Sequence, residues 1–146
     1  MLFLGPAACL CLLAPSAGAL SWGDCANQEG DWYKTPEAGR IGDNVLYFQS
    51  NFGGWYKNDG SIHPSGNAAI DVRSEEEQRK HKKALEQRKY PCTLDNDATW
   101  SEMRFLARVH AATGQRKYKD GFLKGVRYLL EAQYPSGGWP QFYPLR

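Results

Sequence analysis

The sequence predicts an all-α fold in which helical hairpins stand side by side, as in an α/α toroid, with about four helices present. Three observations carry this expectation. Four segments sit between helix signals, three of them with apolar residues at helical spacing; no segment alternates apolar and polar residues with a period of two; and one turn signature occurs twice. The signature is Gln, three residues, then Gly-Gly-Trp. It reads QSNFGGW from Gln49 to Trp55 and QYPSGGW from Gln133 to Trp139, 84 positions apart. Glycine reaches the left-handed backbone that closes a helix and lets the chain double back. The glutamine can hydrogen-bond the loop, and the tryptophan can lock it. Stacked hairpins need such a closure at each step.

The first helix is expected over Pro36–Ser50. Thr35 supplies an N-cap, Pro36 the first helical position and Glu37 an early acid, after which Ile41, Val45 and Phe48 recur at helical spacing. A connector from Asn51 to Asn67 follows, broken by Gly53, Gly54, Gly60, Pro64 and Gly66. Ser74 and Glu77 make a capping box for a charged helix over Glu75–Lys89, which Pro91 ends. The third helix begins at Thr99, whose hydroxyl is placed to cap while Glu102 reaches back. Phe105, Leu106, Val109 and Ala112 line one of its faces, and Gly114 stops it. The fourth runs from Tyr118 to Gln133 with Phe122, Leu123, Val126, Leu129 and Leu130 as its apolar face.

Composition fits one folded domain: 146 residues, 42% hydrophobic and 23% charged, with a formal net charge of +2. So small a charge argues against a nucleic-acid partner and against a membrane-surface patch. The stretch Arg73–Lys89 holds seven Lys or Arg residues but also four glutamates, several spaced to pair with them, and reads as a solvated outer helix. At the N-terminus an apolar run, Leu2–Leu13, leads to the small residues Ala17-Gly18-Ala19. This is the pattern of a secretory signal over residues 1–19, leaving a mature domain over 20–146 that is exported, extracellular or periplasmic, with no membrane association. Of the four cysteines only Cys25 and Cys92 lie outside that leader. In an oxidising compartment a disulfide between them is the simplest outcome, restricting the unfolded chain by about 4 kcal/mol; two separate buried thiols are the alternative.

Two features point to chemistry. Trp55 and Trp139 either pack or turn flat aromatic faces, with Lys57 nearby, toward sugar rings in a cleft. The run CTLDNDATWSEMRFLARV places Asp95, Asn96 and Asp97 just before a helix, where carboxylate oxygens suit a hard cation. It is not an EF-hand, because it lacks the glycine at the sixth position and the glutamate at the twelfth. Spacing alone favours Asp97 or Thr99 as a simple helix cap.

Three segments together resemble one family, the pectate lyases of polysaccharide lyase family 10: Ile41–Asn58, the charged helix, and Thr93–Pro144. The resemblance implies an α/α toroid and Ca2+-dependent β-elimination of polygalacturonate, working as a monomer. It makes Asp95 the metal-binding aspartate and Asn96, Lys57, Trp55 and Trp139 substrate-binding. Asp97 stands where the family pattern has glycine, and Tyr56 where it has proline. The family domain continues well beyond the matched part, and its arginine base lies there, so the resemblance assigns no catalytic residue and implies an incomplete toroid with little activity alone. The alternative is a non-catalytic pectin-binding or scaffold protein. Terpenoid cyclases share the Gln-x-x-x-Gly-x-Trp repeat, but their Asp-rich ionising motif is absent.

Overall fold

A computed structural model describes residues 20–57, 62, 71–79 and 92–144. The expected leader and most of the charged helix lie outside these residues. The fold is all-α. The elements are α1 (Trp22–Ala26), a 3-10 turn (Gly30–Lys34), α2 (Pro36–Tyr47), β1 (Cys92–Thr93), α3 (Trp100–Thr113), α4 (Arg116–Ala132) and β2 (Phe142–Tyr143). Residues 75–79 are also helical. No helix among the described residues is long and apolar enough to cross a membrane.

Local signals open α2 and close α3 where the sequence places them, whereas α2 ends at Tyr47 rather than Ser50 and α4 begins at Arg116 rather than Tyr118. Thr35 accepts the Ala38 N–H at 3.2 Å to open α2, and Gly114, left-handed at φ 69°, closes α3. Ser74 accepts the Glu77 N–H at 3.4 Å, but the Glu77 carboxylate turns to the Asp71 N–H, so only half of the expected capping box forms. At Thr99 the expected cap is replaced. Its side chain makes no cap bond to α3; its hydroxyl accepts the Trp55 N–H at 3.0 Å and donates to the Thr93 carbonyl at 2.8 Å.

The core lies between α2, α3 and α4. Ile41 and Val45 of α2 meet Phe105, Leu106 and Val109 of α3, each burial worth about 1.5–3 kcal/mol. Trp22, Trp32 and Tyr33 pack on Phe105 at ring separations of 5.2, 6.3 and 5.7 Å. The face that α4 buries matches the expected one only in part: Phe122, Val126 and Leu129 pack half-buried against the core. Tyr118, Gly121, Gly125, Tyr128 and Ala132 point inward, whereas Leu123 and Leu130 are exposed. Close approach explains this: a Cβ on Gly121 would fall 2.3 Å from Leu46, and one on Gly125 2.6 Å from Met103. The inward stripe is small so that α4 can lie against its neighbours.

Cys25 and Cys92 do not pair. Both are buried thiols; burial pushes Cys25 up to about 11, and Cys92 donates to Ser50 Oγ at 2.9 Å. The pair β1–β2, registered Cys92 against Tyr143 and Thr93 against Phe142, is too short to show a period in sequence.

The two Gly-Gly-Trp turns repeat bond for bond. Gln49 Nε2 donates to Gly53 O at 2.7 Å, and Gln133 Nε2 to Gly137 O at 3.1 Å. Trp55 Nε1 donates to Val45 O and Trp139 Nε1 to Leu129 O, both at 2.8 Å. Gly53 and Gly137 have φ of 106° and 92°. Their surroundings differ: a Cβ at Gly53 would lie 2.4 Å from Lys124 O, whereas at Gly137 nothing lies within 4 Å. Gly137→Ala should therefore cost only the left-handed strain, about 1 kcal/mol, and Gly53→Ala about 2 kcal/mol more from the backbone clash, read from urea denaturation.

Asp43 ties three segments together, taking Arg73 Nη2 at 2.9 Å, the Lys117 ammonium, and Tyr118 Oη at 3.0 Å. Burial alone would raise its pKa, but the hydrogen bonds from Lys117, Arg73 and Tyr118 outweigh that and hold the carboxyl below its usual value. Its stabilisation is thus present above the unfolded-state value of about 4 and is lost as pH falls through the lower folded value. Asp43→Asn should cost about 1–2 kcal/mol at pH 7, and denaturation midpoints of variant and parent should converge below about pH 4.

Candidate functional site

Asp95 sits in the loop between β1 and α3, where three consecutive elements of geometry fix it. Thr93 Oγ1 accepts the Asp95 N–H at 3.1 Å and donates to the Gln141 carbonyl at 2.7 Å, while Leu94 N–H bonds the same carbonyl at 3.1 Å. The loop then turns through left-handed backbone at Asn96, Asp97 and Thr99, with φ of 51°, 63° and 73°. Asparagine and aspartate tolerate this conformation better than other non-glycine residues; threonine does not. Thr99 is held there by its two hydroxyl hydrogen bonds. The left-handed turn at Asp97 gives a physical reason for a glycine at that place in the family pattern.

The Asp95 carboxylate faces two donors. Lys57 Nζ forms an ion pair with Oδ2, and Gln141 Nε2 donates to the same oxygen at 2.8 Å. Lys57 first, then Gln141, holds the Asp95 pKa below its ordinary value. These donors occupy equivalent places in the repeat, each two residues beyond a Gly-Gly-Trp tryptophan. The two turns therefore converge on one carboxylate. The repeat was the signal from which Gln141 could have been found; Trp100 carried none.

Beside this cluster opens a groove of about 640 Å3, lined by Leu94, Asp95, Trp100, Trp139, Pro140 and Gln141 among others. Trp100 and Trp139 are 44% and 48% exposed. Trp55, by contrast, is 0% exposed, sealed by its bonds to Val45 and Thr99. Burial corrects its expected contact with a sugar: in this fold it is a packing residue. Asn96 is exposed and lines a different cavity from Asp95.

The calcium expectation meets a mismatch. Ca2+ takes about six to eight oxygen ligands. Among the described residues no group of three or more His, Cys, Asp or Glu is placed to hold an ion, and the donors on Asp95 Oδ2 include a cation. The residues present do not by themselves make a calcium site. Arg40, Arg73 and Arg116 pair with Glu37, Asp43 and Asp120, away from Asp95.

A family model described as pectic acid lyase matches residues 49–146. A family 10 polysaccharide lyase from Cellvibrio cellulosa is similar in structure, with a TM-score of 0.52, 30% identity, and coverage of 86% of this chain and 31% of the other. An aspartate-to-alanine variant of a family 10 lyase from the same organism, in complex with trigalacturonic acid, gives 0.51 and 30%, covering 88% and 35%. The chain thus spans about a third of the length of these structures. No curated protein matches it.

Replacing Lys57 by methionine removes the cation from Asp95 while keeping much of the side-chain length. The Asp95 carboxyl should then titrate at higher pH than in the parent, as followed by its carbon NMR shift. An unchanged titration would show that the ion pair is not what lowers it.

Proposed function

The chain belongs to the pectic acid lyase family, and on that footing we propose that it forms part of a secreted, calcium-dependent enzyme that cleaves polygalacturonate by β-elimination. The single observation that carries this beyond family membership is the Lys57–Asp95–Gln141 cluster at the edge of an exposed aromatic groove. The complex of a relative with trigalacturonic acid supports the same substrate class.

The reaction removes the proton at C5 of a uronate residue and breaks the bond from C4 to its glycosidic oxygen, leaving a C4–C5 double bond. Lysine and amide donors at the groove suit the uronate carboxylate and ring hydroxyls, and charge-assisted bonds to the carboxylate favour the negative charge that develops as the proton leaves. Trp100 and Trp139 offer flat apolar faces to the ring C–H groups. Asp95 would supply one carboxylate of the several oxygen ligands Ca2+ requires. None of the described residues is assigned as the base, and the 146-residue chain alone is expected to have little lyase activity.

In affinity electrophoresis, the chain should be retarded by polygalacturonate in the gel, and Lys57→Ala should weaken that retention about tenfold. A protein extended to the length of the structural relatives should release product absorbing in the ultraviolet, and Asp95→Ala should abolish it. Absence of retention by the parent chain would defeat the proposal.

A further inference from the structure

The repeat reaches further back than the turn itself. Leu46 and Leu130, three residues before Gln49 and Gln133, also stand 84 positions apart, so Leu-x-x-Gln-x-x-x-Gly-Gly-Trp occurs twice. In the first copy α4 lies across this surface. A Cβ on Gly121 would fall 2.3 Å from Leu46, and the Gly121 carbonyl accepts a second hydrogen bond from Gln49 Nε2 at 2.9 Å. One turn on, the Lys124 carbonyl rests over Gly53, and the Tyr128 ring closes over Gly54, where a Cβ would lie 2.7 Å from it.

Positions 121, 124 and 128 share one helix face. The seat therefore selects an incoming helix by a pattern: a glycine against the leucine, its carbonyl on the glutamine, close backbone over the first turn glycine, and an aromatic ring seven residues after the helix glycine. In the second copy the same places are open. Leu130 is 66% exposed, and Gln133, Gly137 and Gly138 are exposed with it. Among the described residues Gln133 Nε2 bonds only the Gly137 carbonyl, a Cβ on Gly137 would meet nothing within 4 Å, and one on Gly138 would meet only the Tyr134 ring at 3.9 Å. Both turns close with the same bonds, so the second seat is formed before anything occupies it, and docking there carries little ordering cost.

The source of such a helix is narrowed by the same pattern. In a second copy of the chain, Gly121, Gly125 and Tyr128 are already buried against their own neighbours. The charged stretch over residues 80–91 contains no glycine. The chain covers only 31% and 35% of the two family 10 structures, so a protein of their length has further chain to offer.

We propose that the Leu130–Gln133–Gly137 surface seats a further helix belonging to a protein of that length, entering as α4 enters the first turn, with a glycine on Leu130, its carbonyl on Gln133 and an aromatic ring on Gly138. The inference stands apart from the pectin reading, because it uses the turn and not the groove.

Because α4 carries the required pattern, a peptide copying residues 116–132, held helical by a staple between the exposed positions 123 and 127, serves as the probe. In an NMR titration of the 146-residue chain it should shift the Gln133 side-chain amide and the Gly137 N–H to saturation. Gly121→Leu in the peptide, or Leu130→Glu on the exposed face of the chain, should weaken binding about tenfold. In a protein extended to the length of the structural relatives, Gly137→Ala should lower the urea midpoint as far as Gly53→Ala does, whereas in the 146-residue chain it lowers it less. The proposal is overturned if the peptide shifts neither signal, if it shifts Gln49 and Gly53 instead, if the Gly121→Leu peptide binds equally well, or if Gly137→Ala stays the milder change in the extended protein. Shifts of the Gln133 and Gly137 signals on concentrating the chain alone would overturn it too, by giving the face to a second copy.

Discussion

The structure depends most on the Thr99 hydroxyl, which joins the first Gly-Gly-Trp turn to the strand and helix that follow it. It accepts the Trp55 N–H and donates to the Thr93 carbonyl, while Thr93 N–H donates to the Trp55 carbonyl at 3.1 Å. This small ring of bonds sits in a buried setting, where leaving any of its members unpaired costs about 1–3 kcal/mol. A threonine at φ 73° is a strained placement, and the three groups it unites are what hold it there. Once they are joined, β1 is aligned, α3 starts in a fixed direction, and the intervening loop has only one way to run.

That constraint also explains why two identical turns meet different fates. Both close with the same glutamine, glycine and tryptophan bonds, so the turn is a self-contained unit determined by local sequence. Trp55 is then bonded through its backbone to Thr93 and Thr99, and its side chain is fully buried in the core. Trp139 keeps its bond to Leu129 but retains an exposed face beside the groove. Identity of a motif therefore settles its internal geometry and leaves its role to whatever packs on it.

The limits of legibility follow the same line. Thr35 and Gly114 were readable because a cap acts within a few residues of itself. The inward face of α4 was readable only in part: Phe122, Val126 and Leu129 pack as their spacing suggests, but glycines at 121 and 125 look like weak helix formers in isolation and acquire meaning only from Leu46 and Met103 on other helices. Leu123 and Leu130 drew attention by hydrophobicity and face outward. The Thr99 hydroxyl fits a cap by spacing, yet a partner 44 residues away takes it. Likewise Asp95 and Lys57 stood out in the sequence, each beside its own local motif, but their pairing did not, and Gln141, 46 residues from Asp95, came only with the fold.

The repeat gives the site its logic. Two turns of one kind place equivalent side chains, Lys57 and Gln141, on a single carboxylate oxygen, and one of the two carries a charge while the other does not. A symmetric pair of lysines would over-compensate Asp95 and repel across the site; a pair of glutamines would leave its charge to solvent. The mixed pair balances the carboxylate and leaves a neutral amide at the edge of the groove. Beyond Asp95 the chain turns left-handed, and its next two polar side chains, Asn96 and Asp97, line a second cavity with Trp22, Tyr56, Ser101 and Glu102. A loop of four residues thus divides its side chains between two cavities, a division that follows from backbone handedness.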